Sequence, residues 1–335
     1  MGRGADSHQT HGRDCGEWLG RALAIYILSC DTIANKGGIY AYNLTENGSL
    51  KQAGYFPCDR PMYAVKCEKG LCVLLRQPFL SDNFSGYFYI DEGLKTATQI
   101  KSTQGVVACH LCVDNSDVFI VNYLSGNIVK NGEVIAQRIG KSAHPTRQTE
   151  PHTHFVGQTP DGYLAVCDLG TDVLAFYDKN LQLISETKVL SGYGIRHLTF
   201  AKDGRYIYAV NELVPSISIF SYKGGKAELT NTVKIDCKNE KANGAAIRLS
   251  QDGKYLYISL REENVICVYE INDENLTLIQ TLDCGGDGPR DFNIFGDYLF
   301  CANEKSNNIT LLRLGNSENT DEKEVVTLKS PLCIL

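Results

Sequence analysis

The chain has 335 residues, of which 43% are apolar and 21% charged, the balance of a soluble globular protein with ample core material. Its formal net charge of −6 speaks against generic nucleic-acid binding, which needs a basic face, but leaves room for a local basic pocket that takes a small anion. No stretch approaches the ~18 consecutive apolar residues of a membrane-spanning helix.

In chain order, residues 1–22 open with the polar, glycine-rich "MGRGADSHQTHGRDCGEWLG" and are expected to form a flexible leader. "AIYILS" (24–29) follows and begins a series. "LCVLLR" (71–76), "DVFIVN" (117–122), "YLAVCD" (163–168), "YIYAVN" (206–211), "YLYISL" (255–260) and "YLFCAN" (298–303) repeat the theme at intervals of 43 to 49 residues. Each copy is short and rich in Val, Ile and Tyr, as strands are. Before several lies an Asp-Gly turn, "PDG" at 160–162, "KDG" at 202–204 and "QDG" at 251–253, where glycine supplies the positive φ of a tight hairpin. Another strand precedes the turn ("IRHLTF", "AAIRLS"). A third follows the copy ("DVLAFYD", "SISIFSY", "NITLLRL"), and in several places a fourth ("LTNTVKI", "LTLIQTL"). Four antiparallel strands per repeat and seven repeats predict an all-β, seven-bladed β-propeller over residues 23–335. The first copy lacks its leading strand, and "SPLCIL" at 330–335 aligns with "GPRDFNI" and "GIRHLTF". The C-terminal strand is therefore expected to complete the first blade and remove the open edges. "AIYILS" is needed as a strand of that blade, which argues against a signal segment ending at Cys30.

Thirteen cysteines, an odd number, are scattered from Cys15 to Cys333, several inside strand-like runs. They read as buried free thiols acting as small hydrophobes, and point to a reducing cytoplasm. The close pair Cys109 and Cys112 has no partner pair at zinc-site spacing.

In a propeller the first strand of each blade lines the central channel and the second returns beside it. The start of one and the end of the other therefore meet on the same face. Aligning first strands on their turns places His154, Arg196 and Arg290 at equivalent positions, with His197 and Asp291 next to two of them. Just past the second strands come Tyr123, Leu169, Glu212, Arg261 and Glu304. Arginines, glutamates and a histidine converge on one funnel. Arginine's planar fork suits carboxylate or phosphate, so the expected ligand is an anion. With no G-x-S-x-G, P-loop or dinucleotide fingerprint, acid–base chemistry by His, Glu and Arg remains.

"EPHTH", "DLGTD", "GIRHLTF", "NEL" and "GPRDF", in this order, resemble the propeller-type lactonases, seven-bladed 6-phosphogluconolactonases together with carboxy-cis,cis-muconate cyclases. The resemblance spans about residues 24–335. It implies hydrolysis of 6-phospho-glucono-1,5-lactone to 6-phosphogluconate in the pentose phosphate pathway without a known cofactor, and two histidines at the spacing of His152 and His154 make only half a metal site. It carries catalytic roles onto His152 or His154, Arg196, Glu212 and Arg261. The family's proline before the GxRH arginine is Ile195 here, and the asparagine before the later arginine is Leu260.

The expected mechanism has His154 or Glu212 take a proton from water as it attacks the lactone carbonyl, Arg196 stabilise the oxyanion, and Arg261 and Arg290 hold the phosphate. His197 and Glu304 complete the substrate-binding set. The expected partner is a small anionic sugar lactone, without nucleic acid or membrane, and nothing indicates an oligomeric state. The alternatives are cycloisomerisation of a carboxylated diene, a non-catalytic propeller that binds a metabolite or protein, and a metal-dependent lactonase using His152 and His154 with Asp168 or Glu212.

Overall fold

The computed structural model describes residues 23–45, 49–314 and 323–335. The leader at 1–22, with Cys15, lies outside the described residues. Among the described residues, twenty-eight strands form seven four-stranded antiparallel sheets. In blade 1, β1 (Leu23–Ser29) pairs on one side with the following strand and on the other with β28 (Pro331–Ile334), so the last strand closes the first blade as the sequence predicts.

Blades 2 to 7 begin with the inner strands β4 (Pro61–Cys67), β8 (Ala108–Asp114), β12 (Thr153–Gln158), β16 (Ile195–Phe200), β20 (Asn243–Leu249) and β24 (Pro289–Phe295). Each is followed by a second strand: β5 (Gly70–Leu75), β9 (Asp117–Asn122), β13 (Leu164–Asp168), β17 (Tyr206–Asn211), β21 (Tyr255–Arg261) and β25 (Tyr298–Asn303). The Asp-Gly turns behave as read, with φ of 87° at Gly162, 71° at Gly204 and 79° at Gly253.

Second strands such as Leu164–Asp168 are buried along their whole length because a neighbouring blade covers each face. The fourth strand Leu183–Lys188 alternates between half-buried and exposed residues, as an outer edge does. The apolar core is a ring of wedges between successive blades. Blades 4 and 5 share Leu174, Phe176, Ile195 and Phe220, and blades 5 and 6 share Tyr208, Ile219, Ile247 and Ile258. The wedge joining blade 7 to blade 1 holds Ile25, Ile27, Phe300 and Ile309, so the ring is closed by packing as well as by pairing. Because apolar burial is satisfied between the blades, the axis is free to carry polar side chains as well as apolar ones.

All twelve cysteines among the described residues are free thiols.

Candidate active site

The inner strands share one irregularity. Thr153 pairs with Asp168 and Phe155 with Cys167, which leaves His154 out of the ladder. The same skip isolates Arg196 in blade 5, Arg290 in blade 7, Met62 in blade 2, Cys109 in blade 3 and Leu332 in blade 1. In blade 6 Ala245 and Ala246 fall in the gap between the Gly244–Leu260 and Ile247–Ile258 pairs. A β-bulge bends its strand and re-aims the extra side chain. The equivalence of His154, Arg196 and Arg290 predicted from the turns is therefore that of one bulge repeated around the axis. The other four blades place Leu332, Met62, Cys109 and Ala245 there, so the inner ring is ionic on one side and apolar or sulfur-bearing on the other.

A second ring follows the second strands. The backbone N–H groups of Tyr123, Leu169, Glu212 and Glu304 donate to the carbonyls of Val107, His152, Gly194 and Gly288, each two residues before a bulge. Arg261 pairs with Asn243 at the same level. Cys30 and Arg76 make the same bond to Ser330 and Arg60 and so belong to this rim. Aligning "LCVLLR" on its final residue puts Arg76 one place too early, inside the strand. The strand β5 ends at Leu75, and Arg76 stands on the rim.

Glu212 is the hub. Its side chain is 5% exposed; its Oε2 accepts from Arg196 Nε at 2.9 Å and lies 3.1 Å from Arg261 Nη2. Its Oε1 accepts from Arg147 Nη2 at 2.6 Å. Burial alone would raise the Glu212 pKa, but Arg261, Arg196, His154 and Arg147 outweigh it and hold the carboxyl well below the usual range. Arg196, 3% exposed, also donates Nη1 to the Ala245 carbonyl at 2.6 Å. The small residue at the blade 6 bulge makes that approach possible. Burial, then the neighbouring Arg290, brings the Arg196 guanidinium down to about 9.

His154 Nε2 lies 4.0 Å from Glu212 Oε2, and its buried Nδ1 has no hydrogen-bond partner among the described residues. Burial and the charge of Arg196 push its pKa well below the ordinary imidazole value, so it is neutral at pH 7 with one nitrogen lone pair available. His152 sits nearer the mouth. Its ring stacks on Tyr123 at 4.3 Å and 7°, and its Nδ1 is 3.0 Å from the Tyr123 carbonyl. That contact requires a hydrogen on Nδ1. His197 lies one layer deeper, edge-on to His154 at 5.2 Å and to His110 at 5.1 Å. Asp291, at the same layer, pairs with Arg248 at 2.7 Å. Arg290, on the inner ring, and Glu304, on the rim, make no side-chain hydrogen bond or ion pair among the described residues, and the buried Nε of Arg261 is unpartnered.

The donors a metal would need are directed elsewhere. Asp168 Oδ1 accepts the backbone N–H groups of His152 and Gly170, and its Oδ2 faces Arg138. His152 turns Nδ1 to a carbonyl, and Glu212 is enclosed by guanidinium groups. Among the described residues no three His, Cys, Asp or Glu side chains are grouped to hold a metal ion.

Arg147 is the charged group the repeat could not reveal. It lies in the segment 138–152 between blades 3 and 4, longer than the connections 189–194 and 284–288 elsewhere in the ring. "DLGTD" explains how this segment is seated. A Cβ at Gly170 would stand 2.0 Å from the Glu150 carbonyl oxygen, so only glycine lets the chain pass on its way to His152.

The model of the family described as "Lactonase, 7-bladed beta-propeller" matches residues 25–335. An uncharacterized protein of Staphylococcus aureus is 31% identical over 317 residues, covering 86% of this chain and 91% of its own. Among solved structures, a protein from Lactobacillus plantarum superposes with a TM-score of 0.83 at 27% identity, over 94% of this chain and 99% of the other. A candidate 6-phosphogluconolactonase from Bacteroides uniformis gives 0.80 at 26%, with the same coverage. A periplasmic gluconolactonase from Pseudomonas aeruginosa gives 0.79 at 21%, over 93% and 98%, a likeness of fold alone. With the family model spanning nearly the whole ring, this chain belongs to the 7-bladed β-propeller lactonase family.

Proposed function

We propose that the protein hydrolyses an anionic sugar lactone, 6-phospho-glucono-1,5-lactone in the first instance, which would place it in the pentose phosphate pathway. The observation that carries this reading is the charge arrangement of the funnel. One ionised, buried carboxylate and one neutral imidazole are set among Arg147, Arg196, Arg261 and Arg290. Two carboxylates, Glu212 and Glu304, against four guanidinium groups leave an excess of positive charge that favours a ligand bringing negative charge.

In this mechanism water attacks the lactone carbonyl as His154 takes its proton. Arg196 has Nη2 left for the developing oxyanion, since Nε and Nη1 are held by Glu212 and Ala245. Collapse of the tetrahedral intermediate breaks the bond from the carbonyl carbon to the ring oxygen, and that oxygen takes a proton. The product is a hydroxy-carboxylate, with one proton released to solvent. Glu212 is ill suited as the base because three arginines hold it ionised; its part is to stabilise the imidazolium that forms beside it. The guanidinium field that keeps His154 neutral also makes it a weak base. A bound anion offsets part of that field and strengthens the base when substrate is present. Arg290 is the phosphate ligand in this reading, with Arg261 beside it and Glu304 on the rim.

The test is acid release from freshly made 6-phosphogluconolactone and from unphosphorylated gluconolactone, each corrected for spontaneous hydrolysis. A clear preference for the phosphorylated lactone is expected, and equal rates would remove the phosphate roles of the arginines. The apolar sector formed by Leu332, Met62 and Cys109 supports a second reading, cycloisomerisation of a carboxylated diene, whose unsaturated chain suits that wall. No excess acid release, with consumption of carboxy-muconate instead, would select it.

A further inference from the structure

Of the three guanidinium groups on Glu212, two belong to the propeller and are largely buried. Arg196 is buried and tied at Nε and Nη1, and Arg261 is 14% exposed at its side chain. Arg147 differs in origin and in freedom. Its side chain is 43% exposed, and both of its bonds, to Glu212 Oε1 at 2.6 Å and to Tyr123 Oη at 3.1 Å, leave from the single nitrogen Nη2. Nε and Nη1 carry no bond to the protein among the described residues.

The backbone beneath it is fixed. The next residue, Gln148, is fully buried, and its Nε2 donates to the Leu169 carbonyl and to Asp172 Oδ1, both at 2.8 Å. Its Oε1 accepts from the His144 N–H at 2.9 Å, and His144 Nδ1 in turn accepts the Arg147 N–H at 3.2 Å. The side chain can therefore swing while its anchor stays in place. An anion at the funnel mouth competes with Glu212 for this arginine, and once Nη2 leaves the carboxylate the edge of Nε and Nη2, or that of Nη1 and Nη2, offers the anion two parallel hydrogen bonds.

We infer that Arg147 is a specificity-determining residue of the funnel: it covers Glu212 Oε1, and exchanges that carboxylate for the phosphate or carboxylate group of an incoming ligand. A neutral lactone leaves the Arg147–Glu212 contact in place. An anionic one draws Arg147 onto itself and uncovers Glu212 beside His154. Discrimination between charged and uncharged lactones of the same ring is thus set by a residue outside the repeat. The inference rests on the lactonase reading for its substrates but not for its anion chemistry.

Two measurements on the full chain and on Arg147→Gln test it. Calorimetric titration with inorganic phosphate reads anion capture without turnover, and the ratio of kcat/KM for 6-phosphogluconolactone over gluconolactone reads discrimination. Loss of a charge-assisted fork is expected to weaken phosphate binding and lower the ratio by roughly 10- to 100-fold, chiefly through KM for the phosphorylated lactone. Arg147→Lys, which keeps the charge without the fork, is expected to recover part of the phosphate affinity. Unchanged phosphate affinity with an unchanged ratio would overturn the inference and leave the lactonase reading intact. Weakened phosphate binding in a protein that turns over neither lactone would sustain the anion role of Arg147 and overturn the lactonase reading.

Discussion

Replacing Glu212 with glutamine keeps the shape of the hub and removes its charge. Arg196 and Arg261 would then be buried side by side without a counter-ion, and Arg147 would lose its partner at the mouth. Breaking a buried ion pair by removing one partner costs about 3–5 kcal/mol, whereas the half-exposed Arg147 contact adds less than about 1 kcal/mol. A loss of about 4 kcal/mol lowers the melting temperature by about 6 °C in a chain of this size. Glu212→Gln should also become an anion trap. At a hundred times its Kd, phosphate restores about 2.7 kcal/mol by mass action. Thermal melts of both proteins in phosphate and in chloride at matched ionic strength would show phosphate raising the variant's midpoint more than the wild type's. A midpoint unchanged in chloride, or equal phosphate shifts in the two proteins, would refute the assignment of Glu212 as the counter-charge of the arginine cluster.

His154→Asn should retain the fold and lower turnover by ~10²–10⁴, the usual share of a general base, with full activity removing His154 from the mechanism. Acid should destabilise the protein through its buried histidines. Burial and Arg248 push His110 down to about 3, and His154 and His197 also lie well below their ordinary value. The unfolded chain binds protons first, so their contribution to stability is full above pH ~6.5 and declines below it, by up to ~1.4 kcal/mol per pH unit for each histidine. Urea midpoints from pH 7.5 to 5 would show the slope, and His110→Gln should flatten it. Gly170→Ala, which drives a Cβ onto the Glu150 carbonyl, should cost about 1–3 kcal/mol and displace His152, read as a lower melting temperature together with a loss of activity.

The fold was legible because a propeller writes its period into the chain seven times, and each copy corrects the reading of the others. The same redundancy located His154, Arg196 and Arg290, since a bulge at a fixed distance from a turn can be aligned without coordinates. Where a copy was weak the alignment slipped by one residue, which hid Arg76 inside a strand. Arg147 was out of reach for a different reason. It belongs to a connection with no counterpart in other blades, and only the folded path past Gly170 brings it to Glu212. The different settings of His152 and His154 were also hidden, because they depend on a carbonyl contact and a stack from the neighbouring blade's Tyr123.

The pairing of β28 with β1 sets a timetable for biosynthesis. Ser29 leaves the ribosome early, yet the segment it bonds lies 300 residues downstream at Lys329. Throughout elongation the first blade presents an unpaired edge of apolar residues, the kind of strand that recruits foreign partners. Intermediate blades can settle against their predecessors as they emerge, but the ring has no resting point short of completion. A nascent chain stalled in its seventh blade would still expose that edge, so dependence on a chaperone should persist from the emergence of β1 until β28 pairs with it.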